Sequence, residues 1–119
     1  MQNINVEKIN QELDRFILDR DWDQFHSIKN LSMALSVETS ELVEIFQWMK
    51  EEDSNQVSID EKLNSKVKEE LADIFIYLLR IAKKSNINLE QVVLDKIKKN
   101  SEKYPVEKSK GNSKKYNDL

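Results

Sequence analysis

Apolar residues in this chain recur every three or four positions and nowhere alternate with period two, a pattern that admits amphipathic helices and suits no half-buried strand. Four helices can be read. The first spans about residues 6–20, with Asn5 as its cap and Ile9, Leu13, Phe16 and Ile17 on one face. The second spans about 28–49, and the polar segment EEDSNQV (51–57) breaks it. The third starts at a capping box formed by Ser58 and Glu61 and runs to about Lys84, where Asn86 ends it. The fourth repeats the capping logic at Asn88 and Gln91 and stops at Tyr104-Pro105. Between Leu71 and Ala82 the third helix is apolar nearly all round, as in a helix at the centre of a bundle or against a second subunit. The expectation is an all-α four-helix bundle, with one domain over residues 1–105 and an extended or partly disordered basic tail over 106–119.

Composition narrows the chemistry. A length of 119 residues suits one domain, and a mean hydropathy of -0.69 with 34% charged residues describes a polar surface around a small core. No run approaches a membrane span, and the first ten residues lack a signal-peptide layout, so a cytoplasmic location is expected. Without cysteine there is no disulfide, thiolate nucleophile or Cys-based metal site. The single glycine, Gly111, excludes the glycine-rich loops that cradle phosphate with backbone N–H groups. One histidine, His26, cannot build a multi-histidine metal site. Carboxylates and lysines remain. The chain carries a net charge of -3, yet it is basic from Lys96 onward, through Lys98, Lys99, Lys103, Lys108, Lys110, Lys114 and Lys115.

The acids are placed unusually. On a helical wheel with Leu31 at zero, Leu35, Leu42, Ile45, Phe46 and Met49 define the apolar stripe of the second helix, and Glu38 lies about 20° from its centre. Glu41 sits at the rim of the same face. On the third helix Leu63, Val67, Ile74, Tyr77, Leu78 and Ile81 form the stripe, with Glu70 again about 20° off centre and Asp73 beyond it. If EEDSNQV turns the two helices into an antiparallel hairpin, Glu41 and Glu70 lie about 13 and 17 Å from the turn, so four carboxylates converge. Burying an isolated carboxylate costs several kcal/mol or more, and acids at i, i+3 repel each other. Any one acid is ordinarily solvated or ion-paired, and Lys66 offers Glu70 a partner one turn away. The duplicated offset points to compensation by cations. Protonation relieves one or two acids, whereas a hard divalent ion with oxygen ligands relieves all four, which favours Mg²⁺, with Mn²⁺ as the substitute.

The motif E38-T-S-E41, twenty-eight residues, then E70-L-A-D73 resembles the signature of the all-α nucleoside triphosphate pyrophosphohydrolases, the MazG-like superfamily. The stretches RDWDQFHSIKN, ETSELVEIFQW, EELADIFIYLL and KIKKNSEKYP, and the S-K-K-Y ending at Tyr116, resemble its dCTP pyrophosphatase branch. The resemblance implies a four-helix fold, Mg²⁺ dependence, and hydrolysis between the α and β phosphates to a nucleoside monophosphate and pyrophosphate. It assigns metal binding to Glu38, Glu41, Glu70 and Asp73, with Glu38 or Glu41 also able to take a proton from water. It places Trp22, Trp48 and Tyr77 around the base, with His26 of the DWxxFH motif beside them as a hydrogen-bonding or capping residue. Lys96, Asn100 and Tyr104 are assigned to the phosphates or sugar. It also implies a homodimer or a tetramer built from dimers. The sequence departs from the vertebrate dCTP enzymes at Leu13, where those carry a histidine, and base selectivity is open at that point.

Rival readings remain. The same fold can act on other canonical or modified triphosphates, or on dUTP. The basic tail alone suits a nucleic-acid-binding module, which has no use for four matched acids and predicts steep salt dependence. Nucleic acid and membrane are therefore not expected among the partners, and a nucleoside triphosphate is.

Overall fold

In the computed structural model, which describes residues 2–118 and only the backbone at Tyr116, the described residues contain helices and no strand. Helix α1 spans Val6–Asp19, α2 Ile28–Phe46, α3 Glu51–Ser54, α4 Glu61–Lys84, α5 Leu89–Lys103 and α6 Val106–Ser109. The four long helices match the four expected from periodicity, and α3 and α6 are additions of one turn each. EEDSNQV is thus partly helical rather than a plain break. Residues 106–118 hold α6 and a 3-10 turn, Tyr116–Asp118. The chain divides after Asn86 into two compact units. No helix is long and apolar enough to cross a membrane among the described residues.

Local chemistry sets the helix ends. Asn5 Oδ1 accepts from the Lys8 N–H at 3.0 Å, Ser27 Oγ from Asn30 N–H at 3.0 Å, and Asn88 Oδ1 from Gln91 N–H at 3.0 Å. Gln91 does not reach back to complete a capping box; its Nε2 donates to Asp95 Oδ1 at 2.9 Å. The α4 start differs from expectation. Residues 56–60 are held in a turn, with the Ile59 and Asp60 N–H groups donating to Gln56 O at 3.0 and 2.9 Å, so the helix begins at Glu61 and its cap falls two residues after Ser58. Asp60 is the cap, its Oδ1 accepting from Leu63 N–H at 3.0 Å. Replacing Asp60 with alanine is expected to lower stability by about 1 kcal/mol and Ser58→Ala to leave it nearly unchanged, which urea unfolding will separate. At the other end of α4, Asn86 takes φ 54°, the left-handed conformation that stops a helix.

The end of α1 leads into Trp22 through a defined turn. The Asp21 N–H donates to Leu18 O and the Trp22 N–H to Ile17 O, both at 3.1 Å, which is the paired Schellman arrangement. Asp21 supplies its left-handed residue at φ 52°, where glycine is usual. Gln24 Nε2 braces this turn by donating to Asp21 O and Oδ2 at 3.0 and 3.1 Å. A 3-10 turn, Asp23–Phe25, then leads to α2.

Within the first unit α4 is central, packed chiefly on α2 and also on α1. Its core comprises Ile17 from α1, Leu31 from α2, and Leu63, Val67, Leu79 and Ala82 from α4. Leu78, expected on the buried stripe, is 38% exposed, whereas its neighbours Leu79 and Arg80 are buried. Arg80 is met there by Asp14 of α1 and by Asp23 of the turn that follows it.

Candidate active site

Helices α2 and α4 bring Glu38, Glu41 and Glu70 together, with one oxygen from each lying within 4.8 Å of the others. Glu38 and Glu70 are half-buried and Glu41 is exposed. Leu31, Leu35, Leu42 and Ile45 flank Glu38 on the inward face of α2, so packing of that face carries the carboxylate inside. Glu38 Oε2 and Glu70 Oε2 are buried with no hydrogen-bond donor. Lys66 forms no ion pair with Glu70 among the described residues. Asp73 lies outside the trio and is exposed. It sits one turn further along α4 and its side chain is one methylene shorter than glutamate's.

Crowding governs their protonation. Burial, followed by hydrogen bonding with Glu70 and Glu41 and by the charges of Glu41 and Asp73, pushes the Glu38 carboxyl up to about 7. Burial also raises Glu70. A hydrogen bond with Glu38 acts against that rise, and the charge of Glu41 adds to it. The two carboxyls titrate as a coupled pair, which favours holding a proton between them over ionising both side by side.

Such a donor set suits a hard cation. Oxygens on opposite sides of Mg²⁺ lie about 4.2 Å apart, close to the spread of the trio, and no imidazole or thiolate is present to favour a softer metal. Two buried acceptors without donors are the specific observation in favour of the fit.

Asp73 links this cluster to a cavity of about 600 Å³, lined by the α1 side chains Ile9, Leu13 and Phe16, by Trp22 and His26, and by Asp73, Tyr77 and Arg80 of α4. Trp22 and Phe16 meet edge to face, with centroids 5.5 Å apart. Burial, then the charges of Glu38 and Asp73, raises the Tyr77 hydroxyl, which places Tyr77 electrically between the acids and the cavity. His26 has a buried Nδ1 without a partner, and burial ahead of the nearby Arg80 and Lys84 charges lowers its pKa, so the ring is neutral at pH 7.

Of the residues expected around a ligand, Trp22, His26 and Tyr77 line this cavity together with Leu13. Trp48 does not line it and is 91% exposed, on the turn after α2. Lys96 and Asn100 lie exposed on α5 and Tyr104 is that helix's C-cap, all in the second unit.

The sequence reading does not single out the ion-pair cluster on the cavity wall. Arg80 is only 5% exposed; its Nη1 donates to Asp14 Oδ1 at 2.9 Å and its Nη2 approaches Asp23 Oδ1 at 3.5 Å. Lys83 also pairs with Asp14, and Lys84 with Asp23 at 3.1 Å. Lys83 and Arg80 hold the Asp14 carboxyl below the usual range against its partial burial. A signal was available in LADIFIYLLRIA, where an arginine interrupts an apolar run much as Glu38 interrupts another.

The profile of the MazG-like family matches residues 33–119. This chain belongs to the MazG-like family. It is 40% identical to dCTP pyrophosphatase 1 of Bos taurus over 114 residues, 96% of this chain and 68% of that protein. Against dCTP pyrophosphatase 1 of Homo sapiens the identity is 34% over 96% of this chain and 67% of that one. Among solved structures it is similar to a pyrophosphatase from Archaeoglobus fulgidus, with a TM-score of 0.77 and 36% identity over 88% of this chain and 96% of that one. The MazG-like match takes in the acidic residues of α2 and α4. It begins after α1 and the Trp22 turn, which the longer alignments with the mammalian proteins span in length.

Proposed function

We propose that the protein hydrolyses a deoxynucleoside triphosphate between its α and β phosphates, releasing a nucleoside monophosphate and pyrophosphate, with dCTP or a close pyrimidine analogue as the preferred substrate. The protein is a nucleotide pyrophosphohydrolase, the class of its curated relatives. The observation that carries the finer reading is the junction of two features on α4. Glu38, Glu41 and Glu70 gather where a triphosphate-bound cation would be held, and through Asp73 and Tyr77 they adjoin a cavity with aromatic walls suited to a base.

In this reading Glu38, Glu41, Glu70 and Asp73 hold Mg²⁺, or Mn²⁺ in its place. When bound, the metal neutralises phosphate charge and activates water at neutral pH. The chain's own residues do the rest. Water oxygen bonds to phosphorus as the bridging P–O bond breaks, the departing phosphate oxygen keeps the electron pair, and the water proton passes to Glu38 or Glu41. Trp22 and Tyr77 enclose the base, with the neutral His26 beside them. Trp48, Lys96, Asn100 and Tyr104 serve the base, phosphates or sugar in the assembled enzyme. The assembly is a homodimer or a pair of dimers, supported by the exposure of Trp48, of Val37 and Val43 on α2, and of Leu71 and Leu78 seven residues apart on α4. Removal of surplus or damaged nucleotides from the cytoplasmic pool is the physiological role this activity would serve.

A panel of nucleoside triphosphates assayed for pyrophosphate tests the reading. The expected result is Mg²⁺-dependent release, fastest from dCTP or a 5-substituted analogue. Preference for dUTP or a purine triphosphate would move the substrate while keeping the reaction. No pyrophosphate from any triphosphate would overturn the proposal.

A further inference from the structure

Trp22 lies on a turn whose left-handed residue is an aspartate braced by Gln24. Asp21 occupies the left-handed region at φ 52° with a side chain, where glycine would normally sit, and the indole of Trp22 is 44% exposed on the cavity wall. The residue that follows, Asp23, reaches across to α4. Its Oδ1 receives Lys84 Nζ at 3.1 Å and lies 3.5 Å from Arg80 Nη2, while the other end of the same guanidinium is fixed to Asp14 of α1 at 2.9 Å. Arg80 is almost wholly buried, so its charge requires these carboxylates. It follows Tyr77 by three residues on α4, so one helical turn carries both a wall of the cavity and the anchor of the opposite wall.

We infer that the Asp14–Arg80–Asp23 clamp is a positioning device for substrate binding: through Asp23 it holds Trp22 at a fixed distance from Tyr77, and so sets the width of the slot that receives a flat ring. Arg80 and Asp23 are positioning residues and touch no reacting atom. Asp23 contributes to binding rather than to the chemical step, because it is not one of the gathered acids and acts on the cavity wall through Trp22. The inference rests on the reading of the cavity as the base pocket.

Asp23 is the milder site for a test, since its side chain is 67% exposed and Arg80 keeps its shorter bond to Asp14 at 2.9 Å. Asp23→Asn is expected to raise KM for the preferred triphosphate by about threefold or more with kcat within about twofold, the signature of lost uniform binding. Asp23→Glu, which keeps the charge, is expected to recover most of that loss. In protein labelled with 5-fluorotryptophan, the two tryptophans give two ¹⁹F resonances. The Trp22 signal, assigned by its absence in Trp22→Phe, should shift in Asp23→Asn without nucleotide while the Trp48 signal stays in place. An unmoved Trp22 resonance overturns the clamp, and so does a normal KM in Asp23→Asn when Trp22→Ala raises KM. If Trp22→Ala leaves KM unchanged, the base-pocket reading has failed, and the role of the clamp in binding falls with it.

Discussion

Glu38→Gln and Glu70→Gln are each expected to lower turnover by about 10²–10³-fold while the helical circular dichroism stays that of the parent. Glutamine matches glutamate in size, so the inward face of α2 around Leu31, Leu35 and Leu42 keeps its packing. What disappears is one negative charge and one ionic ligand from a trio whose oxygens lie within 4.8 Å of one another. The amide also supplies an N–H donor to a neighbouring carboxylate whose buried oxygen has none. The metal-free variants should therefore be as stable as the parent or slightly more so. Pyrophosphate release and thermal melts measured on the same preparations separate the two effects. Full activity in either variant would remove the metal site from the proposed mechanism.

The second large effect is on stability, and its sign follows from Glu38. The carboxyl is raised from an ordinary value of 4.5 to about 7. Between those values the folded protein holds a proton that the unfolded chain has released, so this group's contribution to stability falls as pH rises through the window. The depressed Asp14 carboxyl works in the opposite direction, being lost as pH falls through its folded value, below the ordinary carboxylate range. The metal-free protein should thus melt at lower temperature at pH 8 than at pH 5.5. A divalent cation takes the place of the shared proton. At about a hundred times its Kd, Mg²⁺ adds about 2.7 kcal/mol, equivalent to roughly 10 °C for a chain of this length. Proton competition makes the shift smaller at pH 5.5. Melts in Mg²⁺ and in EDTA at the two pH values check this, and equal shifts at both would contradict a proton shared between Glu38 and Glu70.

The legible parts of the molecule were those written in helical period. Leu31, Leu35, Leu42 and Ile45 fall on one face because 3.6 residues make a turn, and Glu38 stood out by sharing that face. Pairing α2 with α4 then followed from the matched offset at Glu70. Features set by chemistry across the fold were less legible. Nothing local distinguishes Ser58 from Asp60 as a cap until the turn at Gln56 fixes where α4 can start. Asp73 is on the expected side of α4, one turn beyond Glu70, where its charge acts on Glu38 while its side chain also lines the cavity. Arg80 is buried because Asp14 and Asp23, 66 and 57 positions away in sequence, meet it there. Long-range ion pairs of this kind leave only an interrupted apolar run as their trace.

Helix α4 runs unbroken through its 24 residues, from Glu61 to Lys84, and carries Glu70 at one end of the site and Arg80 at the other. Ten residues of α-helix are about 15 Å long, and an uninterrupted helix has no hinge. The protein therefore owns a ruler. The spacing from acids to cavity is invariant, and any ligand spanning both must match that length. The width of the cavity is set separately, by α1 and the Trp22 turn, the side tied to α4 by the ion pairs of Arg80 and Lys84. One residue inserted between Asp73 and Tyr77 would turn every later side chain by about 100° and leave both halves of the site intact but facing different ways.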